Sequence, residues 1–274
     1  MKVNIFYFSG TGNTLKVAET LKNELELLNA NVCFANLENN PPYSPCDALV
    51  IAYPVWGFNS PQIVKNFVKN LPNDVANTYF LKTSGEPLSL NDASSIGLVK
   101  ILDKKGYRTS GEYHYVMPYN MVFRHDDVLA SKMLRVAKER LKNTAVEIRN
   151  GLVKPINYPL KARVMRAICS VEHSGMRLNG KFYSVNKNDC INCNKCLKNC
   201  PTKNITIKEG KYYFGTHCLG CARCAFNCPT NAINTGLLNF LKVNGPYDFS
   251  LNSEQVILPK YCNKSYKKYF DIEK

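Results

Sequence analysis

Eight of the 12 cysteines in this 274-residue chain fall into two copies of one spacing. Cys190, Cys193, Cys196 and Cys200 precede Pro201, and Cys218, Cys221, Cys224 and Cys228 precede Pro229. Thiolates are soft ligands, and this many at three- and four-residue steps suit iron held together with sulfide. Structural zinc sites place two close cysteines, then a longer gap, then two further ligands, which this spacing fits poorly. Disulfides need an oxidising compartment, and no secretory signal precedes the first predicted strand. Iron–sulfur clusters move single electrons, so one-electron transfer is the chemistry expected of such runs. Each proline closes its ligand turn, having a fixed φ and no N–H to donate.

The two runs form an internal repeat, and the likeness extends past the ligands: NCPTKNI at 199–205 is echoed by NCPTNAI at 227–233. The repeated C-x2-C-x2-C-x3-C-P run resembles the bacterial two-cluster ferredoxins. That resemblance implies that the fourth cysteine of each run crosses to the other cluster. One [4Fe-4S] set would then be Cys190, Cys193, Cys196 and Cys228, the other Cys218, Cys221, Cys224 and Cys200. Between the runs, ITIKEGKYYF at 205–214 predicts two short strands around Glu209-Gly210.

A second constellation lies at the N-terminal end. VNIFYF at 3–8 is a continuous apolar run, as a strand buried on both faces requires. It leads directly into Ser9, Gly10, Thr11, Gly12, Asn13 and Thr14, after which Leu15, Ala18, Leu21, Leu25 and Leu28 share one helical face. Strand, hydroxyl-rich glycine loop and helix make a phosphate cradle, because loop N–H groups, hydroxyls and the helix N-terminus all point at the anion. The loop lacks the lysine of a P-loop and the third glycine of a dinucleotide fingerprint. Hydroxyls in their place suit a terminal phosphate such as that of FMN.

Ser9-x-Thr11-Gly12-x-Thr14, placed after the first strand, resembles the flavodoxin phosphate loop. The elements that must carry it follow in flavodoxin order. ALVIAYPV at 48–55 reads as the third strand and TYFLKT at 78–83 as the fourth. Ser60 and Pro61 read as N-cap and first residue of a helix, another helix is expected from about Asp92 to Gly106, and YHYVMP at 113–118 ends the fifth strand. A long helix is expected from about Asp127 to Gly151. The resemblance implies that the flavin ring is gripped by Pro54, Val55, Trp56 and Gly57 after the third strand and by Thr83, Ser84 and Gly85 after the fourth. Tyr119 and Asn120, beyond the fifth strand, would face the substrate side.

Together these features resemble a family of flavodoxin–ferredoxin fusion proteins found mainly in anaerobes. The fold implied is α/β: a doubly wound, parallel, five-stranded sheet in the order 2-1-3-4-5, joined to a small α+β two-[4Fe-4S] domain. The expected organisation is a flavin domain at 1–150, a basic linker helix at 151–180, the cluster domain at 181–236 and a C-terminal extension at 237–274.

The net charge is +15, and residues 151–189 hold seven Lys or Arg against two Asp or Glu. Val164, Ile168 and Val171 at helical spacing suggest that the linker is amphipathic and packs between the domains. An acidic electron donor, such as a small ferredoxin, is the partner this charge favours. The charge is diffuse and no nucleic-acid motif accompanies it. No apolar run approaches the ~18 residues needed to span a bilayer, and the cytoplasm is the expected location. Lys195, Lys198 and Arg223, beside the ligands, are expected to ease reduction of the clusters. Cys33, Cys46, Cys169 and Cys262 read as thiols without ligand roles. The reading as a whole is an FMN- and iron–sulfur-dependent oxidoreductase fed by reduced ferredoxin, with a pure protein-to-protein carrier as the alternative.

Overall fold

A computed structural model describes residues 1–252 and 256–271. The apolar runs form strands β1 (Lys2–Tyr7), β2 (Asn31–Asn36), β3 (Ala48–Pro54), β4 (Asn77–Ser84) and β5 (Arg108–Val116). They pair in the order β2-β1-β3-β4-β5, every pair parallel. Alternation along the strands splits the core in two. Val3, Ile5, Val50 and Ala52 pack under α1 (Asn13–Leu27) and α4 (Asp127–Arg149), while Phe6, Leu49 and Ile51 pack under α2 (Gln62–Asn70) and α3 (Ile96–Lys104). Helices on both faces explain why the central strands β1, β3 and β4 are buried along almost their whole length. This is the doubly wound sheet expected from the sequence.

Local chemistry sets the helix ends. Asp126 caps α4, its carboxylate accepting the Val128 N–H at 2.8 Å. Gly106, at φ +90°, ends the turn after α3 within contact of the Asp74 carbonyl. One expectation shifts: α2 starts at Gln62 with Pro61 in the capping position, and the Ser60 hydroxyl is buried without a hydrogen-bond partner among the described residues. Pro61 brings its preset φ to the residue before the helix, which moves Ser60 out of capping reach.

The linker holds two helices, α5 (Leu160–Ile168) and α6 (Glu172–Gly180). It departs from expectation in what it buries. Val164, Ile168 and Val171 are 51%, 63% and 71% exposed, and the residue α5 buries is Ala162. The small side chain lets α5 lie against the turn at Ser89–Ser95, which rotates the larger apolar stripe outward.

The cluster region is built from small pieces. β6 (Tyr183–Val185) pairs antiparallel with β9 (Ile233–Thr235), and β7 (Ile205–Lys208) with β8 (Lys211–Phe214). Glu209 and Gly210, at φ +48° and +71°, form the tight turn between β7 and β8. Single-turn helices α7 (Lys195–Lys198) and α8 (Arg223–Phe226) sit inside the ligand runs. The chain then returns to the sheet domain. Val243 and Tyr247 pack on Ala130 and Phe226, and α9 (Asn263–Asp271) sets Tyr266, Tyr269 and Phe270 against Val116, Leu129 and Met133.

Candidate cofactor sites

The sequence repeat is also a backbone repeat. Left-handed residues recur at matching positions of the two runs: Asn192 with Gly220, Asn194 with Ala222, and Lys203 with Asn231, all at φ between +51° and +72°. Each run thus winds its cysteines around a hollow with the same sequence of turns. Cys190, Cys193, Cys196 and Cys228 line one such hollow, and Cys200, Cys218, Cys221 and Cys224 line the other. Cys228 thus lies among the cysteines of the first run and Cys200 among those of the second. Matching N–H groups close the two sites, Asn204 donating to Cys200 Sγ at 3.3 Å and Ala232 to Cys228 Sγ at 3.2 Å.

The hollows suit a cluster better than a lone ion. Among the described residues no three His, Cys, Asp or Glu side chains converge on one ion-sized point, as tetrahedral zinc demands. Burial pushes the Cys221 thiol up to about 12, and burial followed by the negative charge of Cys221 and Cys218 pushes Cys224 well above its ordinary value. Four thiolates in such a place require a compensating metal charge, which iron supplies.

The phosphate loop opens α1. Gly12, at φ +104°, stands in the N-cap position and no side chain caps the helix, so its first N–H groups have no side-chain partner. Gly12 N–H donates to Ser9 Oγ at 3.1 Å, and the Thr14 and Thr83 hydroxyls share a 2.7 Å hydrogen bond. Asn13 Nδ2 donates to the Pro118 carbonyl at 2.6 Å, and Asn120 Nδ2 to Thr11 Oγ1 at 3.1 Å. The loop is thereby tied to the strand ends around it. Above it lies a cavity of about 390 Å³, in the range of a cofactor site. Ser9, Gly10, Thr11, Asn13, Thr14, the segment Pro54-Val55-Trp56-Gly57, the segment Thr83-Ser84-Gly85, Tyr119 and Asn120 all line it. The structure brings every sequence-predicted flavin-side residue except Gly12 to this one cavity. An uncapped helix end, flanking hydroxyls and an apolar-walled slot are what FMN requires.

Two turns hold the cavity walls. Trp56 and Asn59 exchange backbone hydrogen bonds of 3.0 and 2.8 Å across Gly57 and Phe58, which both have positive φ. The Trp56 ring then meets Phe8 edge-on at 5.5 Å. A Cβ on Gly85 would lie 2.5 Å from the Tyr119 ring, so the glycine there makes room for that ring. Tyr119 stacks on His125, with centroids 5.3 Å apart and planes at 4°.

A hydrogen-bond chain locks these walls together. Tyr119 N–H donates to His125 Nδ1 at 3.0 Å, His125 Nε2 bonds to the Tyr266 hydroxyl at 3.1 Å, and that hydroxyl donates to the Gly85 carbonyl. With Nδ1 accepting, neutral His125 carries its proton on Nε2. Burial lowers its pKa to about 4. The C-terminal extension, to which the sequence assigned no task, therefore spans the loops after β4 and β5.

The cluster region reaches into the same cavity. Gly220 lines it beside the flavin loops, together with Met176 of α6 and with Leu238 and Leu241 just beyond the cluster region. A Cβ on Gly10 would stand 2.9 Å from the Cys221 carbonyl, so the phosphate loop and the ligand loop touch backbone to backbone. Arg223 pins the contact. It donates to the carbonyls of Ser9 at 2.7 Å, Gly10 at 2.8 Å and Asn199 at 2.9 Å, and it forks onto both carboxylate oxygens of Glu38. Of the three cations expected to ease cluster reduction, Arg223 is paired with Glu38, while Lys195 and Lys198 are exposed. Composition gave no sign of this clamp, because Glu38 and Arg223 lie 185 residues apart.

Comparison with known proteins agrees with this geometry. A flavodoxin-domain family model matches residues 4–85, and a 4Fe-4S dicluster-domain model matches residues 189–232. Among solved structures, a flavodoxin of Streptococcus pneumonia TIGR4 is 14% identical with a TM-score of 0.40, covering 56% of this chain and 100% of its own. An NAD(P)H:quinone oxidoreductase from Methanothermobacter marburgensis is 13% identical with a TM-score of 0.38, covering 54% of this chain and 96% of its own. An azoreductase from Bacillus anthracis str. Sterne is 12% identical with a TM-score of 0.38, covering 53% and 99%. No curated protein matches the chain. No helix among the described residues is long and apolar enough to cross a membrane. One polypeptide thus carries a flavodoxin domain for FMN and a 4Fe-4S dicluster domain for iron–sulfur clusters, the organisation of a flavodoxin–ferredoxin fusion with an electron-transfer role.

Proposed function

We propose that the chain takes electrons from a reduced, acidic ferredoxin and delivers them to a small acceptor in the flavin cavity. The Cys190, Cys193, Cys196 and Cys228 set receives them, and the Cys200, Cys218, Cys221 and Cys224 set passes them on. The backbone contact of Gly10 with Cys221 carries this reading, because it puts the second set against the phosphate loop. The first set lies at the other end of the repeat, where Cys193, Lys187, Lys195 and Lys198 are exposed and would meet a negative surface.

Ser9, Thr11, Thr14 and the first N–H groups of α1 would hold the phosphate. Trp56 and the Thr83-Ser84-Gly85 segment would flank the ring. Tyr119 would form the acceptor-side wall, and Asn120, bonded to Thr11, would fix the loop at the cavity mouth. Bound there, FMN supplies the ability to gather electrons singly and release them in pairs. The chain's own part is to hold the two sites in contact and to screen them from water.

Anaerobic purification should yield about eight iron and one FMN per chain. Rapid mixing with reduced ferredoxin should then show the iron–sulfur absorbance change ahead of the flavin change. Gly10→Ala, whose Cβ would press on the Cys221 carbonyl, should slow the second phase in the molecules that retain FMN. Flavin reduction that proceeds equally fast after the clusters are removed overturns the reading. Reoxidation by partner proteins, but by no small molecule, would leave a carrier instead of an enzyme.

A further inference from the structure

One carboxyl lines the flavin cavity. Glu86, the residue after Gly85, is 8% exposed, and its Oε2 has no hydrogen-bond partner among the described residues. Buried carboxyls are ordinarily bonded or paired, so an orphaned one calls for an explanation. Loose loop structure does not supply it. The Glu86 carbonyl accepts from Ser84 Oγ at 2.7 Å and from Asn91 Nδ2 at 3.3 Å, while Tyr266 holds the Gly85 carbonyl. The main chain is fixed, and Oε2 is left without a hydrogen-bond partner among the described residues.

Among the described residues no Lys, Arg or His side chain lines the cavity, and none shifts this carboxyl toward its ionised form. His114 on β5 bonds to Ser84 Oγ, and burial lowers its pKa to about 3, so it stays neutral, as does His125. From the C-terminal segment, the hydrogen bond to Cys262 and burial push the Tyr261 phenol up, burial pushes the Tyr266 phenol up, and the charge of Glu86 adds to both, so both remain protonated. Tyr119 is the other ionisable wall residue. Burial alone raises the Glu86 carboxyl from 4.5 to about 7.

Electrons that come through iron–sulfur clusters arrive without protons. Negative charge added to a cavity with no cation is costly in a low dielectric unless a proton follows. We propose that Glu86 is the proton-binding group of the flavin cavity: its carboxylate takes one proton from water as an electron's charge is delivered there, and gives it back as that charge leaves. One O–H bond of the solvent donor breaks as the carboxyl O–H bond forms, both changes reverse when the charge leaves, and the electron is the one supplied by the reduced donor. The inference rests on the FMN reading above.

Infrared spectroscopy of the loaded, full-length protein tests it. At pH 8 the oxidised protein should hold Glu86 ionised, so reduction should add a carboxylic-acid C=O band that Glu86→Gln lacks. At pH 5.5 the acid is already protonated and reduction should add no such band. The flavin midpoint potential should fall more steeply with pH above neutrality in the parent than in Glu86→Gln. No band at pH 8, or a band that survives in Glu86→Gln, overturns the proposal. If Glu86→Gln fails to load cofactor, Glu86→Asp must keep the band with a displaced pH midpoint, and a loaded Glu86→Asp without it overturns the proposal equally. A parent preparation without FMN would instead overturn the flavin reading, and the pH titration of the Glu86 band in that oxidised chain would still read the residue itself.

Discussion

The sheet domain and the cluster module place redox groups with opposite materials. The sheet domain has two apolar layers, one under α1 and α4 and one under α2 and α3, with most of their members fully buried. The cluster module has Tyr183, Ala225 and Ile233 as its buried core, two short ladders, and eight thiols facing two hollows. A module so small cannot offset its chain entropy by burial alone. Packing holds the first region, and metal ligation holds the second.

The largest effect should come from taking the iron away. Anaerobic chelation should abolish hydrogen-exchange protection across 183–235 and leave the amides of β1, β3 and β4 protected. A cluster module that stays protected without iron breaks the comparison. Next in size is Leu21→Ala, which empties a fully buried site in the layer under α1. It should cost the sheet domain about 2–5 kcal/mol in denaturant unfolding and leave the iron count unchanged.

Arg223→Met sharpens the comparison at the seam. It leaves Glu38 without its partner and three loop carbonyls without this donor, at a cost of about 3 kcal/mol. Calorimetry should then resolve two transitions where the parent shows closer coupling. The pH dependence of the flavin cavity is of similar size at most. Glu86 has its folded pKa raised from 4.5 to about 7, so its stabilising contribution is complete below 4.5 and is lost as pH rises through 7. Glu86→Gln should therefore match the parent at pH 4.5 and exceed it by about 3 kcal/mol at pH 9, measured by urea unfolding. His125, with its pKa depressed to about 4, works in the opposite sense: its contribution is present above 6.5 and is lost as pH falls toward 4. The smallest effect belongs to Val164→Ser on the outward face of α5, which should change stability by about 0.5 kcal/mol or less.

Much of the molecule was legible before folding, because the informative patterns are local. Cysteines at fixed short steps can only wrap something between them, and the repeat at 199–205 and 227–233 announces two such wraps. Apolar runs of strand length separated by helical periodicities lead to a parallel sheet, and loop 9–14 follows β1 where a phosphate cradle must stand. The α5 stripe was misread because helical spacing shows that an apolar face exists, not which face meets a neighbour. Glu86 sat in view beside Gly85, but its lack of a partner is a property of its surroundings. Nothing in the sequence of the tail named the loops that Tyr266 braces.

The order of residues by itself determined which chemistry the protein can host: thiolate runs for iron–sulfur clusters, a hydroxyl-glycine loop for a phosphate, and the sheet to carry it. Only the tertiary structure decided that Cys221 meets Gly10, that Glu38 holds Arg223, and that α9 clamps the loops after β4 and β5. Ligand spacing is written along the chain, because a few bonds set it. Contacts between residues 185 apart depend on how two separately folded surfaces fit, and burial, charge pairing and close approach act only once those surfaces have met.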